Sequence, residues 1–422
     1  MSAGLQQGLS EEVVRDLSAA RNEPDWLLER RLDALSALDE LDLPDVIQTP
    51  GRRWTNLTNL QFESLGDSDW SSDVCSSDLF ESLVDPLNQS DETERVTAEG
   101  VEVLSFEEAL DDHEDLIREE FGSTLDPQSN YLTALSAALF TTGTLIYVPE
   151  GVDAEDVKIR TEMRSDSLFS HTLVVTEKNA SVTILEAIGD EGPTDSEEGR
   201  YFSNLVEVAA GENSNVQFGS LQNLSQDGYC YTLKHGDADD HATINWIEGN
   251  FGTRLTRSDV ETELNGEGSE SQIVGAFFGH EDQHFDVNAR VWHRAEHTTA
   301  DLVTRGVLDD TARSVYEGVQ DVGRDAWDTS SYQRENTLML SDDSEADASP
   351  KLIIKNHDTE ASHSATVGQV DQEDLFYMTS RTIDPKTARN MLVEGFFVPV
   401  LEEIAVDEFR DDVEELVRER LD

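Results

Sequence analysis

The chain has 422 residues, 90 of them acidic and 30 basic, for a formal net charge of −60 at pH 7. Phosphate backbones and anionic bilayers would be repelled by that balance, which argues against nucleic acid and membrane surfaces as partners. The acids are scattered among regularly placed Val, Ile, Leu and Phe rather than massed in tails, so the chain should fold rather than stay disordered. Only six basic residues are Lys. This is the composition expected of a halophile's cytosol, where concentrated salt shortens the Debye length to about 3 Å or less.

No apolar run approaches the roughly 20 residues needed to cross a bilayer. The N-terminal MSAGLQQGLSEEVV has neither a basic start nor an apolar signal core, so a cytoplasmic address is expected. The two cysteines, Cys75 and Cys230, form no CxxC or other self-contained ligand set. The chain alone cannot hold a four-thiolate cluster, and any cluster must be shared with another subunit or held transiently.

Taken in order, residues 10–41 read as helices, with Ser10-Glu11-Glu12 opening the first and Trp26, Leu27, Arg31, Leu32, Leu35 and Leu38 forming an amphipathic stripe on the next. Pro44 and Pro50-Gly51 then break the chain, and a further helical stretch is expected over 106–121. Between them Phe62-Glu63-Ser64-Leu65 recurs as Phe80-Glu81-Ser82-Leu83, bracketing the Ser/Asp-rich GDSDWSSDVCSSDL of residues 66–79. Deleting 66–83 restores a smooth Q-F-E-S-L-V-D-P-L-N. The filler has no structural period and reads as a spurious or disordered insertion, which sets Cys75 aside.

From Thr141 to Asp374 short β-rich runs recur between Gly, Asn, Asp and Ser, among them Ser181–Ala187, Val216–Leu221, Ala242–Glu248, Gln272–Phe278, Phe285–His293 and Leu302–Leu308. No crossover helix separates them, which excludes a doubly wound sheet. The pattern by itself leaves a sandwich, a barrel or a solenoid open.

Two sharp motifs lie in this region. His280-Glu281-Asp282-Gln283-His284 matches the H-E-x-x-H of zinc peptidases, whose chemistry needs a helix to set both His on one face. Here Phe285, Val287, Ala289 and Val291 come next in strict alternation, and residues four apart in a strand lie ~13 Å from each other. The match is therefore read as coincidental. His293 and His297 could form a metal half-site, but Ala295-Glu296 reads as a turn between strands and favours structural roles. Cys230, in GYCYTLKHG, is either a small buried hydrophobe or a sulfur-relaying thiol, with Lys234 and His235 near enough to leave that open. There is no P-loop, nucleophile elbow or dinucleotide fingerprint. A β-helix carbohydrate-active enzyme is the main catalytic alternative, and its paired carboxylates cannot be told from the acidic background.

Ser362 to Phe397, SHSATVGQVDQEDLFYMTSRTIDPKTARNMLVEGFF, passes from strand through an acidic turn to a helix. Asp384 and Pro385 supply an N-cap and a first-turn proline. Ala388, Met391, Leu392 and Phe396 repeat at helical spacing and are expected to form its buried face against a helix around 399–420. The pieces S-H-x-A-T-V-G, D-x-x-L-F-Y, S-R and the small-residue helix ending in G-F resemble the C-terminal signature of the SufB/SufD family, the scaffold subunits of SUF iron–sulfur assembly. In that family the SufB branch carries Glu directly after the His and a Cys 28 residues before it. Here those positions hold Ser364 and Glu335. Many SufD relatives have a Cys two residues before the His, and here Ala361 stands there. The resemblance is thus to the SufD type, with a SufB-like primary scaffold as the alternative.

That resemblance implies a right-handed parallel β-helix core flanked by helical regions, placed here at 141–375 between an N-terminal region, 1–125, and a C-terminal one, 376–422. It implies a non-catalytic scaffold that pairs with a SufB-like subunit and docks a SufC-like ATPase, with no cofactor held stably by this chain alone. His363 would meet a transient iron–sulfur cluster shared with the partner. The region of Asp384, Pro385, Ala388, Leu392, Gly395 and Phe396 would receive the ATPase.

Overall fold

A computed structural model describes residues 10–41, 48–49, 52–53, 92–165, 167–190, 200–404 and 406–421. The repeated Phe-Glu-Ser-Leu segment with residues 66–79 and Cys75 lies outside them, as do Pro44 and Pro50-Gly51.

From Thr142 the chain coils between two facing sheets, the strands Thr142–Val148, Ser167–Thr176, Tyr201–Ala210 and onward to Glu345–Ile354 lying in one and Asp153–Met163, Ser181–Asp190, Asn215–Asn223 and onward to Thr359–Gln369 in the other. Each sheet has nine strands, of which one, Glu102–Ser105 or Glu92–Val96, closes the N-terminal edge antiparallel; the remaining eight are parallel and give a β-solenoid of eight coils. The runs expected from the β-rich pattern all lie in this solenoid.

The register explains why the coils stack. Ile184, Phe218, Trp246, Ile273 and Leu302 pair in succession up one sheet, forming an inward column buried between the sheets. Turns from the first sheet to the second repeat a left-handed residue, at Gly151, Asn179, Asn213, His241, Gly268, His297 and Asp328. Gly, Asn and Asp reach that conformation at least cost. From Gly151 to His297 the amide of the turn residue donates to a carbonyl of a neighbouring coil, as in Asn179 N to Glu212 O (2.9 Å) and Asn213 N to Asp240 O (2.8 Å). This is the repeat that no sequence motif disclosed, because only a backbone angle is shared.

Helices cover both outer faces. The N-terminal helices Glu11–Ala20 and Asp25–Ala37, with Tyr131–Leu139, lie over the first sheet, where Leu132, Leu135 and Phe140 meet Leu173, Leu205 and Tyr231. Helix Tyr131–Leu139 is buried at every position, so it lacks the polar face by which a helix is recognised. The stretch 106–121 is two short helices, Phe106–Asp112 and Glu114–Glu120, separated at His113. Arg31 is fully buried, paired with Glu23 (2.6 Å), donating to the carbonyls of Ala138 and Phe140 (both 3.0 Å) and lying over the Phe140 ring.

The second sheet is covered by helices Pro385–Leu401 and Asp407–Leu421, whose Val393, Phe397, Val400, Phe409, Val413 and Val417 pack on Leu185, Leu221, Ile247, Val274 and Val303.

Candidate functional site

The C-terminal end of the solenoid is open. Its last coil, Glu345–Ile354 and Thr359–Gln369, has no fully buried residue, and both strands are sheet edges. Ile353, Ile354 and Val367 are each about two-fifths exposed. Unpaired edges with apolar side chains are a template for another chain.

His363 lies on this last strand, where the expectation put it. Its register partner is Gln333, which pairs in turn with Leu302, so His363 caps the inward column that starts at Ile184. Column neighbours in a parallel sheet project from the same face. The imidazole thus stands at the mouth of the solenoid, exposed to solvent, with no described side chain holding it.

Glu335 occupies the same strand as Gln333, beside Ala365 of the last coil. It is buried, Thr337 Oγ1 donates to its Oε1 (2.5 Å), and its Oε2 lacks a partner. Burial pushes its carboxyl up to about 7 against the pull of the Thr337 hydrogen bond. A carboxylate there is a hard donor and cannot carry a sulfane sulfur. Ala361 and Ser364 add no further strong ligand.

The zinc-peptidase match dissolves in the geometry. His280–Gln283 form a turn with Glu281 in the left-handed region, and His284 begins the strand His284–His293. Burial lowers both imidazoles, that of His284 to about 4. His293 and His297 also part company: His293 is buried against Thr298 (2.8 Å), while His297 is a half-exposed turn residue bonded to Asp328 (2.8 Å). Cys230 faces the interior among Met163, Leu168, Ile188 and Phe202, and burial pushes its thiol up to about 12. Lys234, whose proximity left its reactivity open, is instead paired with Glu248 (2.7 Å). Cys230 is a structural hydrophobe.

The C-terminal helix requires a correction. Asp384 is its N-cap, accepting from Thr387 N (3.0 Å), with Pro385 in the first turn as expected. The buried face is Ala388, Val393, Phe397, Val400 and Leu401; Met391 is 50% exposed, and Leu392 and Phe396 are only partly buried. The helix meets a sheet as well as a helix, and this second contact rotates the buried stripe by one position. Ala388 is fully buried and is out of a partner's reach, whereas Asp384, Pro385 and Gly395 are exposed. Phe396 is held by Arg305, whose guanidinium lies 4.7 Å from its ring and donates to its carbonyl. The sequence pattern missed helix Gln372–Thr379, which buries nothing and leaves Phe376 and Tyr377 73% and 58% exposed.

The family model of the SUF system FeS cluster assembly SufBD core domain matches residues 159–396, more than half of the chain, and that of the SufBD protein N-terminal region matches 56–159. The chain belongs to the SufB/SufD family. Among its relatives, the iron–sulfur cluster assembly protein SufD of Bacillus subtilis is 29% identical over 96% of this chain and 97% of its own length. SufB of the same organism is 27% identical over 95% of this chain and 91% of its own. A SufBD family protein of Staphylococcus epidermidis is 28% identical over the same shares. Overall similarity does not separate the two branches, so local chemistry must. The resemblance drawn from Ser362–Phe397 is borne out at the level of the family.

Proposed function

We propose that this chain is the SufD-type scaffold of a SUF assembly complex, a non-catalytic partner to a SufB-like subunit and a SufC-like ATPase in the cytoplasm of a halophile. The observation that carries this reading is the pair at the mouth of the solenoid: an exposed imidazole, His363, near a buried carboxyl, Glu335, where the SufB type is expected to carry a thiol. The open last coil offers the edge on which the sibling would add, and His363 would then lie at the junction. There the imidazole serves as an iron ligand or proton donor toward cluster atoms held by the partner's thiolate. The cluster is cargo passed through that junction.

The ATPase dock is assigned to the exposed side of the C-terminal helices. Phe376, Tyr377 and Met391 are large exposed side chains, of which Tyr377 carries the Arg381 guanidinium over its ring (3.4 Å), and the turn at Asp384 lies between them in sequence. Removing residues after Asp384 would strip the cover from Leu185, Ile247 and Val274 and expose the sheet, so truncation is a poor test. Substitution of the exposed groups is a clean one. Phe376→Ala with Tyr377→Ala should leave melting unchanged and the SufB-like partner bound, while ATPase recovered on co-purification falls at least tenfold. Undiminished ATPase recovery would move the dock elsewhere.

A further inference from the structure

Beside the apolar column from Ile184 to Leu302, the next inward column of the second sheet carries no apolar side chain until the last coil. In register it reads Glu186, Ser220, Glu248, Gly275, Thr304 and Glu335, and it ends at Ala365, two residues from His363. The first sheet answers it with Asn204, Thr232 and Ser258, which also follow one another in register before Val287 and Tyr316. Asn204 Nδ2 donates to Glu186 Oε1 (2.8 Å), and Lys234, two residues beyond Thr232, donates to Glu248 Oε2 (2.7 Å). The two columns therefore face each other across the interior.

The hydrogen bonds of this lane do not close. Asn204 Oδ1, Thr232 Oγ1, Glu248 Oε1, Ser258 Oγ and Glu335 Oε2 are buried without a partner, on side chains no more than 4% exposed. One such atom is an exception, but several on facing columns of a single lane form a pattern that asks for a bridging group. Column neighbours stand about 4.8 Å apart, too far for one hydroxyl to reach the next. A water between two of them bonds to both. Gly275 leaves the lane without a side chain at the step between Glu248 and Thr304. The lane also holds three carboxyls, Glu186, Glu248 and Glu335, against one ammonium, Lys234. Buried carboxylates in excess of cations take up protons rather than stay charged, and those protons need a route.

We infer that this lane holds a file of waters from Glu335, beneath the mouth, to Glu186, and that the file carries protons between the mouth and the buried Lys234–Glu248 pair. Five strand spacings make it about 24 Å long. Hydroxyls suit such a file because each both donates and accepts, and a carboxyl does the same once protonated. The lane itself does not depend on the scaffold reading. Its use rests on that reading, since the mouth is where His363 meets the cargo and where protons are given or taken.

Lys234 is the reporter. With six lysines in the chain, isotope-labelled lysine in the full-length protein resolves its ammonium group by NMR, and the signal is identified by its loss in Lys234→Arg. Exchange of its hydrogens with solvent is read by magnetisation transfer from water. A hydrated lane predicts exchange in about a second or less, against the minutes to hours of opening that a dry interior requires, although the side chain is only 1% exposed. Gly275→Val puts a side chain between Glu248 and Thr304, whose Oγ1 lies 3.2 Å from the position of the added Cβ, and should slow the exchange at least tenfold. Thr304→Val keeps the shape, removes the hydroxyl and should slow it severalfold. A fold defect in either variant would speed exchange, so it cannot mimic the result. Exchange no faster than that of the most protected backbone amides, or equal rates in wild type and both variants, would overturn the proposal.

Discussion

Transfer from about 3 M to about 0.1 M potassium chloride is expected to lower the melting temperature by tens of degrees or to unfold the protein outright. The driving force is the excess of 60 negative charges on 422 residues. At high salt their repulsion is confined to about 3 Å, and at 0.1 M it reaches about 10 Å, enough to couple neighbouring surface acids. Helix Asp407–Leu421, DEFRDDVEELVRERL, illustrates the load: seven of its residues are acidic against three basic, and Phe409, Val413 and Val417 must hold it to the sheet. Burial pushes the Asp412 carboxyl up, with Glu408 and other nearby acids adding to the shift. Surface ion pairs such as Arg418 with Glu414 contribute little individually. Circular dichroism followed across a salt series reads the effect directly. A melting temperature indifferent to salt would show that the acids are compensated within the fold and would remove the halophilic reading.

The second large effect is expected at Glu207. Its carboxylate is fully buried on the outer face of the first sheet and accepts from Gly122 N (2.9 Å), Leu125 N (3.2 Å), Thr124 Oγ1 (3.1 Å) and His171 Nε2 (2.8 Å). One side chain thus satisfies the turn by which the N-terminal helices reach the solenoid. Burial would raise this carboxyl, but hydrogen bonding and charge from His171 and the two amides outweigh it and hold it below its ordinary value. Glu207→Ala leaves those donors buried and unpaired and should cost about 3–5 kcal/mol. A carboxyl lowered by folding contributes stability above its unfolded pKa, which is lost as pH falls through the lowered folded value. Wild type should therefore lose this contribution only below about pH 4, and Glu207→Ala should lack that acid limb. Denaturant melts at pH 7 and pH 3 measure both. Equal stability of mutant and wild type at pH 7 would mean the turn is held by other contacts.

The same physics made some elements legible in the sequence and hid others. Phe285–His293 and Leu302–Leu308 were legible because alternation with apolar residues marks a half-buried strand. Asp153–Met163 and Leu255–Leu264 went unread, since DAEDVKIRTEM and LTRSDVETEL fill outward positions with charge and blur the period. His363 was found through a resemblance, and its place at the top of an inward column became visible only from the register. The burial of Glu335 had no sequence signal, because one Glu among 90 acids looks like any other. Phe376 and Tyr377 were hidden because QEDLFYMT reads as part of an acidic turn, its apolar residues being adjacent and not at helical spacing, so no helix was expected over Gln372–Thr379.

The central claim is that His363 acts on the cluster rather than on the fold. It is exposed and held by no described side chain, so its removal should cost no more than about 1 kcal/mol. The decisive measurement is iron and acid-labile sulfide per complex, after anaerobic purification of this chain with its SufB-like and SufC-like partners, for wild type and His363→Ala. The account expects unchanged subunit stoichiometry and melting, with iron and sulfide reduced severalfold. Wild-type iron and sulfide in the mutant complex would contradict it and leave this chain a purely structural partner.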